Sequence, residues 1–170
     1  MSYHLNRVAA DRLLGQQKEI IRRHQNRLDF NRAKIDHSFK VDLVEDCIEN
    51  TDLSFFEYKR LRIACRTRFG VTSTQYGDIT IRSHLHSGNK TELDKINVGF
   101  GDYMLYCWGT RDKIEEYIII DLDEFRERQK QFVTVVDKWN TDGSSAFNCY
   151  SIDRIVRTAC CIVAELKQAA

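Results

Sequence analysis

The residues best suited to chemistry lie between Tyr76 and Gly109, where a polar loop separates two strand-like runs. In the first run, Asp78–His84, polar and apolar residues alternate. The second run, Tyr103–Trp108, is apolar throughout, and both patterns are typical of strands. The loop and its borders carry acidic, basic and imidazole side chains: Asp78, Arg82, His84, His86, Lys90, Glu92, Asp94, Lys95 and Asp102. Polar groups at this density, held between apolar strands, suit a functional site better than a core.

Carboxylates and a lysine in this segment indicate metal-dependent chemistry at phosphorus. Magnesium prefers oxygen ligands, usually one or two carboxylates together with water and a substrate phosphate. The bound ion activates water and stabilises the charge that develops at phosphorus. The expected assignment is Mg²⁺ or Mn²⁺ on Asp78 and Glu92, with Asp102 as a third carboxylate and Lys95 positioning the attacking water.

Each of these residues also has an ordinary structural interpretation, and the sequence leaves both open. Asp78 and Asp102 each follow a glycine, which is typical turn chemistry. Glu92 and Lys95 have the spacing of a surface pair on a helix. An H-x-H pair, formed by His84 and His86, either ligates a metal or consists of solvated loop histidines.

A basic strand is predicted just before this segment. Within Arg60–Phe69, apolar residues alternate with arginines, which is strand periodicity with one strongly basic face. The arginines are Arg60, Arg62, Arg66 and Arg68. This face either contacts phosphate, together with Arg82 and Lys90, or is an exposed sheet face covered by acids from a helix.

The N-terminal region is predicted to be a basic helical arm. Residues 1–40 hold nine Lys and Arg against four Asp and Glu, although the net charge of the 170 residues is only +1. A basic arm of this kind suits a polyanion or an acidic partner. We therefore expect two parts, a basic arm over 1–38 and an α/β domain over 39–170.

One long helix is predicted over residues 5–35. Leu14, Ile21, Leu28 and Ile35 recur every seven residues, while neighbouring apolar residues widen the stripe toward an ordinary amphipathic helix. Three roles stay open for this helix. It packs on the domain, it forms a homodimer, or it presents its arginines to a nucleic acid.

The remaining pattern predicts a mixed α/β fold, because strands cluster between helices. Further helices are expected over 41–50, 123–136 and 151–167, and further strands over 117–122 and 146–150. The expected architecture is a single mixed central sheet of about four to five strands, flanked by helices and preceded by the long N-terminal helix.

Several classes of protein are disfavoured. The chain has no G-x-G-x-x-G, P-loop or G-x-S-x-G motif, and its six cysteines include no C-x-x-C pair. No apolar run approaches the roughly 20 residues that span a membrane, and Met1–Ala10 lacks the apolar core of a signal peptide. We therefore expect a cytoplasmic protein with no membrane association.

The segments GDITIR, SGNKTELDKI, GFGDYMLYCWG and YIIIDLDEFR lie within residues 60–128. Together they resemble the restriction-endonuclease-like (PD-(D/E)XK) superfamily, in particular its small phage and mobile-element members. Where that family carries E-x-K on a strand, this chain has Thr80-Ile81-Arg82, and arginine cannot act as a base at neutral pH. Glu57-Tyr58-Lys59 spells E-x-K but precedes the first predicted strand.

Two functions are therefore predicted. The resemblance implies a nuclease-like core that hydrolyses nucleic acid, DNA rather than RNA, with a bound metal. The alternative is a non-catalytic nuclease-like module that binds a partner or assembles through the 5–35 helix. The departure at Thr80-Ile81-Arg82 and the long basic helix favour this alternative.

Overall fold

A computed structural model of the chain describes residues 3–28, 39–40, 53–55 and 61–167. The helices in these residues are α1 (Tyr3–Arg23), α2 (Ser73–Tyr76), α3 (Glu92–Asn97), α4 (Leu122–Phe132) and α5 (Ile152–Val156). The strands are β1 (Phe39–Lys40), β2 (Leu53–Phe55), β3 (Leu61–Phe69), β4 (Asp78–Leu85), β5 (Tyr103–Gly109), β6 (Ile114–Asp121), β7 (Val133–Trp139), β8 (Ser145–Ser151) and β9 (Cys161–Glu165). None of the helices in this part of the chain combines the length and the apolar character that a membrane span requires.

The strands form two sheets. The large sheet has the order β1-β2-β3-β5-β6-β9, in which β3 and β5 are parallel and the other pairs are antiparallel. The small sheet is antiparallel with the order β4-β8-β7. The predicted mixed α/β class is confirmed, but the predicted single sheet is wrong. The crossover that joins the parallel strands β3 and β5 contains β4, which pairs with β8 instead of joining the large sheet.

Two predicted helices end early and continue as strands. The helix predicted over 123–136 ends at Phe132, where β7 begins, and the helix predicted over 151–167 ends at Val156, before β9. The segments that become strands are rich in β-branched residues, which suit a pleated surface. Pairing of β7 with β8 and of β9 with β6 overrides the helical periodicity. The helix predicted over 41–50 and the tripeptide at 57–59 lie outside the described residues.

One face of the large sheet is covered by α1 and the turns that follow it. The core on this face includes Ile20, Ile21, Leu28, Leu61, Ile63, Leu105, Cys107 and Ile119. The side chain of Gln16 accepts a hydrogen bond from the Ile114 N–H at 2.9 Å and donates one to the Asp112 carbonyl at 2.7 Å. Within the predicted helix 5–35, α1 ends at Arg23 and turns follow to Leu28, whose side chain still packs on the sheet. Residues 29–35 lie outside the described part of the chain.

The opposite face of the large sheet packs against the small sheet and α4. This second core includes Ile79, Ile81, Met104, Tyr106, Trp108, Ile118, Phe125 and Tyr150. Because both faces are covered, β5 is buried at every position, and β6 is buried from residue 116 to residue 120. This burial agrees with the strongly apolar sequences of both strands.

A buried carboxylate joins α2 and the C-terminal segment to β6. Glu116 is fully buried and accepts hydrogen bonds from the Ser73 N–H (3.1 Å), the Ser73 hydroxyl (2.5 Å) and the Lys167 N–H (2.9 Å). Burial alone would favour the neutral acid, but these hydrogen bonds outweigh it and lower the pKa of Glu116. The charged form of Glu116 therefore stabilises the fold.

We expect Glu116→Gln to lower the free energy of unfolding by about 1–3 kcal/mol at pH 7, because buried donors lose their charged acceptor. The folded pKa lies below the ordinary value of 4.5, so this contribution is present above pH 4.5 and is lost as the pH falls through the folded pKa. The variant should therefore lose less stability than the wild type below pH 4.5. Urea titrations across this range test it, with Glu115→Gln on the surface as control.

Packing of α1 on the sheet predicts a large cost for truncating its buried face. Ile21 is 0% exposed, so Ile21→Ala should reduce the free energy of unfolding by about 2–5 kcal/mol. Arg22→Ala, on the solvent side of the same helix, should change it by less than about 0.5 kcal/mol. Chemical denaturation measures both. Equal stability of the two variants would show that α1 does not pack on the domain in solution.

Candidate functional site

The β3 arginines form a row in which each described member pairs with a carboxylate. Arg62 lies 3.6 Å from Asp102, and its backbone N–H donates to the same carboxylate at 2.8 Å. Arg66 pairs with Glu92, and Arg68 donates to Asp78 at 3.2 Å. We call Arg62, Arg66 and Arg68 the arginine row. The three carboxylates predicted to hold a metal are thus the partners of three arginines predicted to hold phosphate; Arg60 lies outside the described residues.

The free edge of β4 is held by side chains of the large sheet and α3. The Thr80 N–H donates to the Tyr106 hydroxyl at 3.2 Å, and the Arg82 N–H donates to Glu92 at 3.4 Å. The Asp78 carbonyl accepts from Arg68 at 3.5 Å. We call Arg68, Glu92 and Tyr106 the β4 clasp. These groups take the place of a neighbouring strand, which an edge strand otherwise lacks.

Two of the three predicted metal ligands pair with neighbouring arginines of the arginine row. Arg66 and Arg68 are alternate residues on one face of β3 and hence about 7 Å apart, but Glu92 accepts from the Arg82 N–H, which is four residues or about 13 Å along β4 from Asp78. Asp102 pairs with Arg62, about 13 Å farther along the strand from Arg66. No group of three His, Cys, Asp or Glu side chains suited to a metal ion occurs among the described residues.

The fit of a divalent cation to this site is therefore partial. Two carboxylates and a substrate phosphate are a sufficient oxygen set for Mg²⁺, but Asp78 and Glu92 would have to move closer together to share one ion. Each already has a guanidinium partner, and a cation would have to compete with Arg66 and Arg68. The distance of Asp102 from the pair does not suit a third ligand.

The other predicted site residues lie around this centre. Lys95 is partly exposed on α3, three residues after Glu92, and Lys90 is exposed just before the helix. Thr91 caps α3, and its hydroxyl accepts from the Asp94 N–H. The ring of His84 lies 5.3 Å from the ring of Trp139, and the His86 N–H donates to the Ser144 carbonyl.

The small sheet carries two further cations, one of which the sequence did not single out. Arg82 is four residues from Asp78 on β4 and so lies on the same strand face as this partner of Arg68. Arg82 on β4 and Lys138 on β7 are both directly opposite Phe147 on the central strand β8. Directly opposed residues share a face, so the two cations flank Phe147. None of the salt bridges among the described residues involves Arg82 or Lys138. Only the pairing of three strands brings residues 82, 138 and 147 together.

A cysteine on this face is not a nucleophile. Cys149 lies directly opposite Thr80 and is 3% exposed. Burial first, and then the negative charge of Asp78, raise the pKa of the Cys149 thiol to about 11. The thiol therefore stays protonated at neutral pH, and nucleophilic chemistry requires the thiolate.

The β4 clasp predicts that Glu92 is needed for stability. Glu92→Ala removes the acceptor of the Arg82 N–H and the partner of Arg66, and it should lower the free energy of unfolding by about 2 kcal/mol. Asp153→Ala removes an exposed partner of Arg157 and should cost about 0–1 kcal/mol. Urea unfolding of both variants measures these two losses of stability. A loss no greater for Glu92→Ala than for Asp153→Ala would contradict a clasp role.

Comparison with known proteins adds no assignment to this geometry. No family model matches the chain, and neither a curated protein nor a solved structure matches it. The resemblance to restriction-endonuclease-like proteins therefore stays a prediction. The contacts of the arginine row and the β4 clasp are the basis on which a function is proposed.

Proposed function

We propose that the protein binds the phosphate backbone of a nucleic acid on the face formed by the arginine row and the small sheet. The observation that carries this proposal is an excess of positive charge. Five cations, Arg62, Arg66, Arg68, Arg82 and Lys138, share this region with three carboxylates, Asp78, Glu92 and Asp102. DNA is proposed ahead of RNA because the motif resemblance points to DNA-handling proteins.

The paired arginines can take part by exchanging one anion for another. Guanidinium binds carboxylate and phosphate in the same planar geometry, so a phosphate can replace a carboxylate oxygen without moving the arginine far. The side chains of the arginine row are about a quarter to a third exposed, at 25%, 30% and 24%, which leaves them within reach of a ligand. Arg82 and Lys138, with no described salt bridge, need no exchange.

Metal-dependent phosphodiester hydrolysis is the second candidate. It is favoured by one observation, the pairing of Asp78 and Glu92 with neighbouring arginines of β3. When bound there, Mg²⁺ or Mn²⁺ would supply an activated water and charge neutralisation at phosphorus. Asp78 and Glu92 would hold the ion, Arg66 and Arg68 would hold the phosphate, and Lys95 would orient the water. Hydrolysis additionally requires that Asp78 and Glu92 release their arginines.

Assembly through the N-terminal helix stays a prediction. The apolar residues of α1 and its following turns pack on the large sheet, so a homodimer through residues 5–35 would use a different face of the helix. The exposed residue Arg22 lies on that outer face, whereas Arg23 lies 3.9 Å from Glu165 of β9.

The two candidate functions predict opposite effects of Asp78→Asn. The amide keeps a hydrogen-bond acceptor for Arg68 but removes the negative charge, which should tighten DNA binding in EDTA about fivefold, the effect of roughly 1 kcal/mol of repulsion. Asp153→Asn removes the same charge from the surface pair with Arg157 and should change affinity less than twofold. Fluorescence anisotropy with labelled DNA, repeated at several salt concentrations, measures both variants.

The same proteins are then incubated with DNA and Mg²⁺ or Mn²⁺. Cleavage that requires metal and is lost in Asp78→Asn would establish hydrolysis at this site. Binding that tightens in Asp78→Asn, without cleavage by the wild type, supports a binding module. An equal gain in DNA affinity in Asp78→Asn and Asp153→Asn would show that DNA does not bind at the proposed site. If the wild type does not bind DNA, the proposed function is wrong.

A further inference from the structure

Phe147 occupies an unusual place for a large aromatic side chain. It lies on β8, the central strand of the small sheet, yet neither core cluster among the described residues includes it. It is partly exposed, whereas Ala146 and Asn148 on either side are buried. An aromatic ring at such a position normally contributes a large area to a core. Here the ring is left beside the cations Arg82 and Lys138.

A second exposed aromatic lies beside the same face. Tyr76 is 56% exposed at the end of α2, and the Arg68 guanidinium lies 5.1 Å from the centre of its ring. Tyr76 comes two residues before Asp78. Phe147 lies opposite Arg82, and Arg82 comes four residues after Asp78 on β4. The two rings therefore stand at opposite ends of this stretch of β4, with Arg68 and Arg82 beside them.

Aromatic rings next to cations are the elements that bind unpaired nucleotides. The cations contact phosphates, while each ring offers a flat surface on which a base of any sequence can stack. In a duplex the bases are already stacked on one another, so their faces cannot reach a protein ring. A face that carries both features therefore discriminates in favour of single strands.

We propose that Phe147 and Tyr76 stack unpaired nucleobases, so that this face prefers single-stranded nucleic acid to a duplex. The proposal rests on phosphate binding at the same face and adds the class of nucleic acid. Arg82 and Lys138 hold the backbone beside Phe147, and Arg68 holds it beside Tyr76.

The test compares three probes on the wild-type protein in EDTA. They are a labelled oligothymidylate of about 12 nucleotides, an abasic strand with the same number of phosphates, and a duplex of the same length. Because the abasic strand keeps every phosphate, a difference from oligothymidylate measures base stacking alone. We expect oligothymidylate to bind roughly tenfold more tightly than the abasic strand, and more tightly than the duplex.

Variants then assign the difference to the rings. Phe147→Leu and Tyr76→Leu should each reduce the preference for oligothymidylate over the abasic strand, and Phe147→Tyr should retain it. Phe69→Leu is the matched control, because Phe69 is partly exposed and projects from the other face of β3. Tyr76 is so exposed that its truncation should leave the fold intact, even if Phe147→Leu is unstable.

The failures of the two proposals are distinguishable. Equal binding of oligothymidylate and the abasic strand would overturn stacking while leaving phosphate binding in place. Tighter binding of the duplex would also overturn the preference for single strands. An unchanged preference in both folded leucine variants would show that other residues contact the bases. No binding of any probe would overturn phosphate binding and stacking together.

Discussion

The closure of the β4 edge by side chains is the constraint on which the arrangement of the two sheets depends. A strand edge carries backbone donors and acceptors that need partners once another layer covers them. In this protein the partners are a tyrosine hydroxyl, a carboxylate and a guanidinium, at Tyr106, Glu92 and Arg68. Because Glu92 serves both the Arg82 N–H and the Arg66 guanidinium, one charge fixes α3, β3 and β4 relative to each other.

The two contacts of Glu92, with the Arg82 N–H and the Arg66 guanidinium, limit the chemistry of the site. A carboxylate that holds a strand edge is less free to bind a metal, since leaving its donors unpaired costs free energy. Asp78 is less constrained, because its carboxylate pairs with the Arg68 guanidinium while the β4 edge at this residue is closed through the backbone carbonyl. Phosphate binding requires a smaller rearrangement of these side chains than metal binding does. The arginines need only a new acceptor of the same geometry, whereas a metal needs both carboxylates released.

The sequence predicted those elements whose local pattern agrees with their tertiary role. The alternation of apolar residues and arginines in β3 signals a strand that the protein adopts. The sequence predicts helix in the β7 and β9 segments because their apolar residues fit the periods of a helix and of a strand. Only pairing with β8 and β6 makes these segments strands. At the site, residue types were predictable but partnerships were not. Arg66 and Glu92 are 26 residues apart, and Phe147 meets Arg82 and Lys138 only through strand register.

The arginine row is tolerated because of where β3 lies. On the face toward the small sheet, Arg66 is beside Tyr106 and Arg68 is beside Trp108 in the parallel register, so the arginine stems border two fully buried rings. Long basic side chains can cover apolar surface with their methylenes while their charged heads reach outward. Beyond β3 the described sheet contains only the short strands β2 and β1. The row therefore sits where the core gives way to polar contacts, and its guanidinium groups can exchange a carboxylate for a phosphate while their stems stay in place.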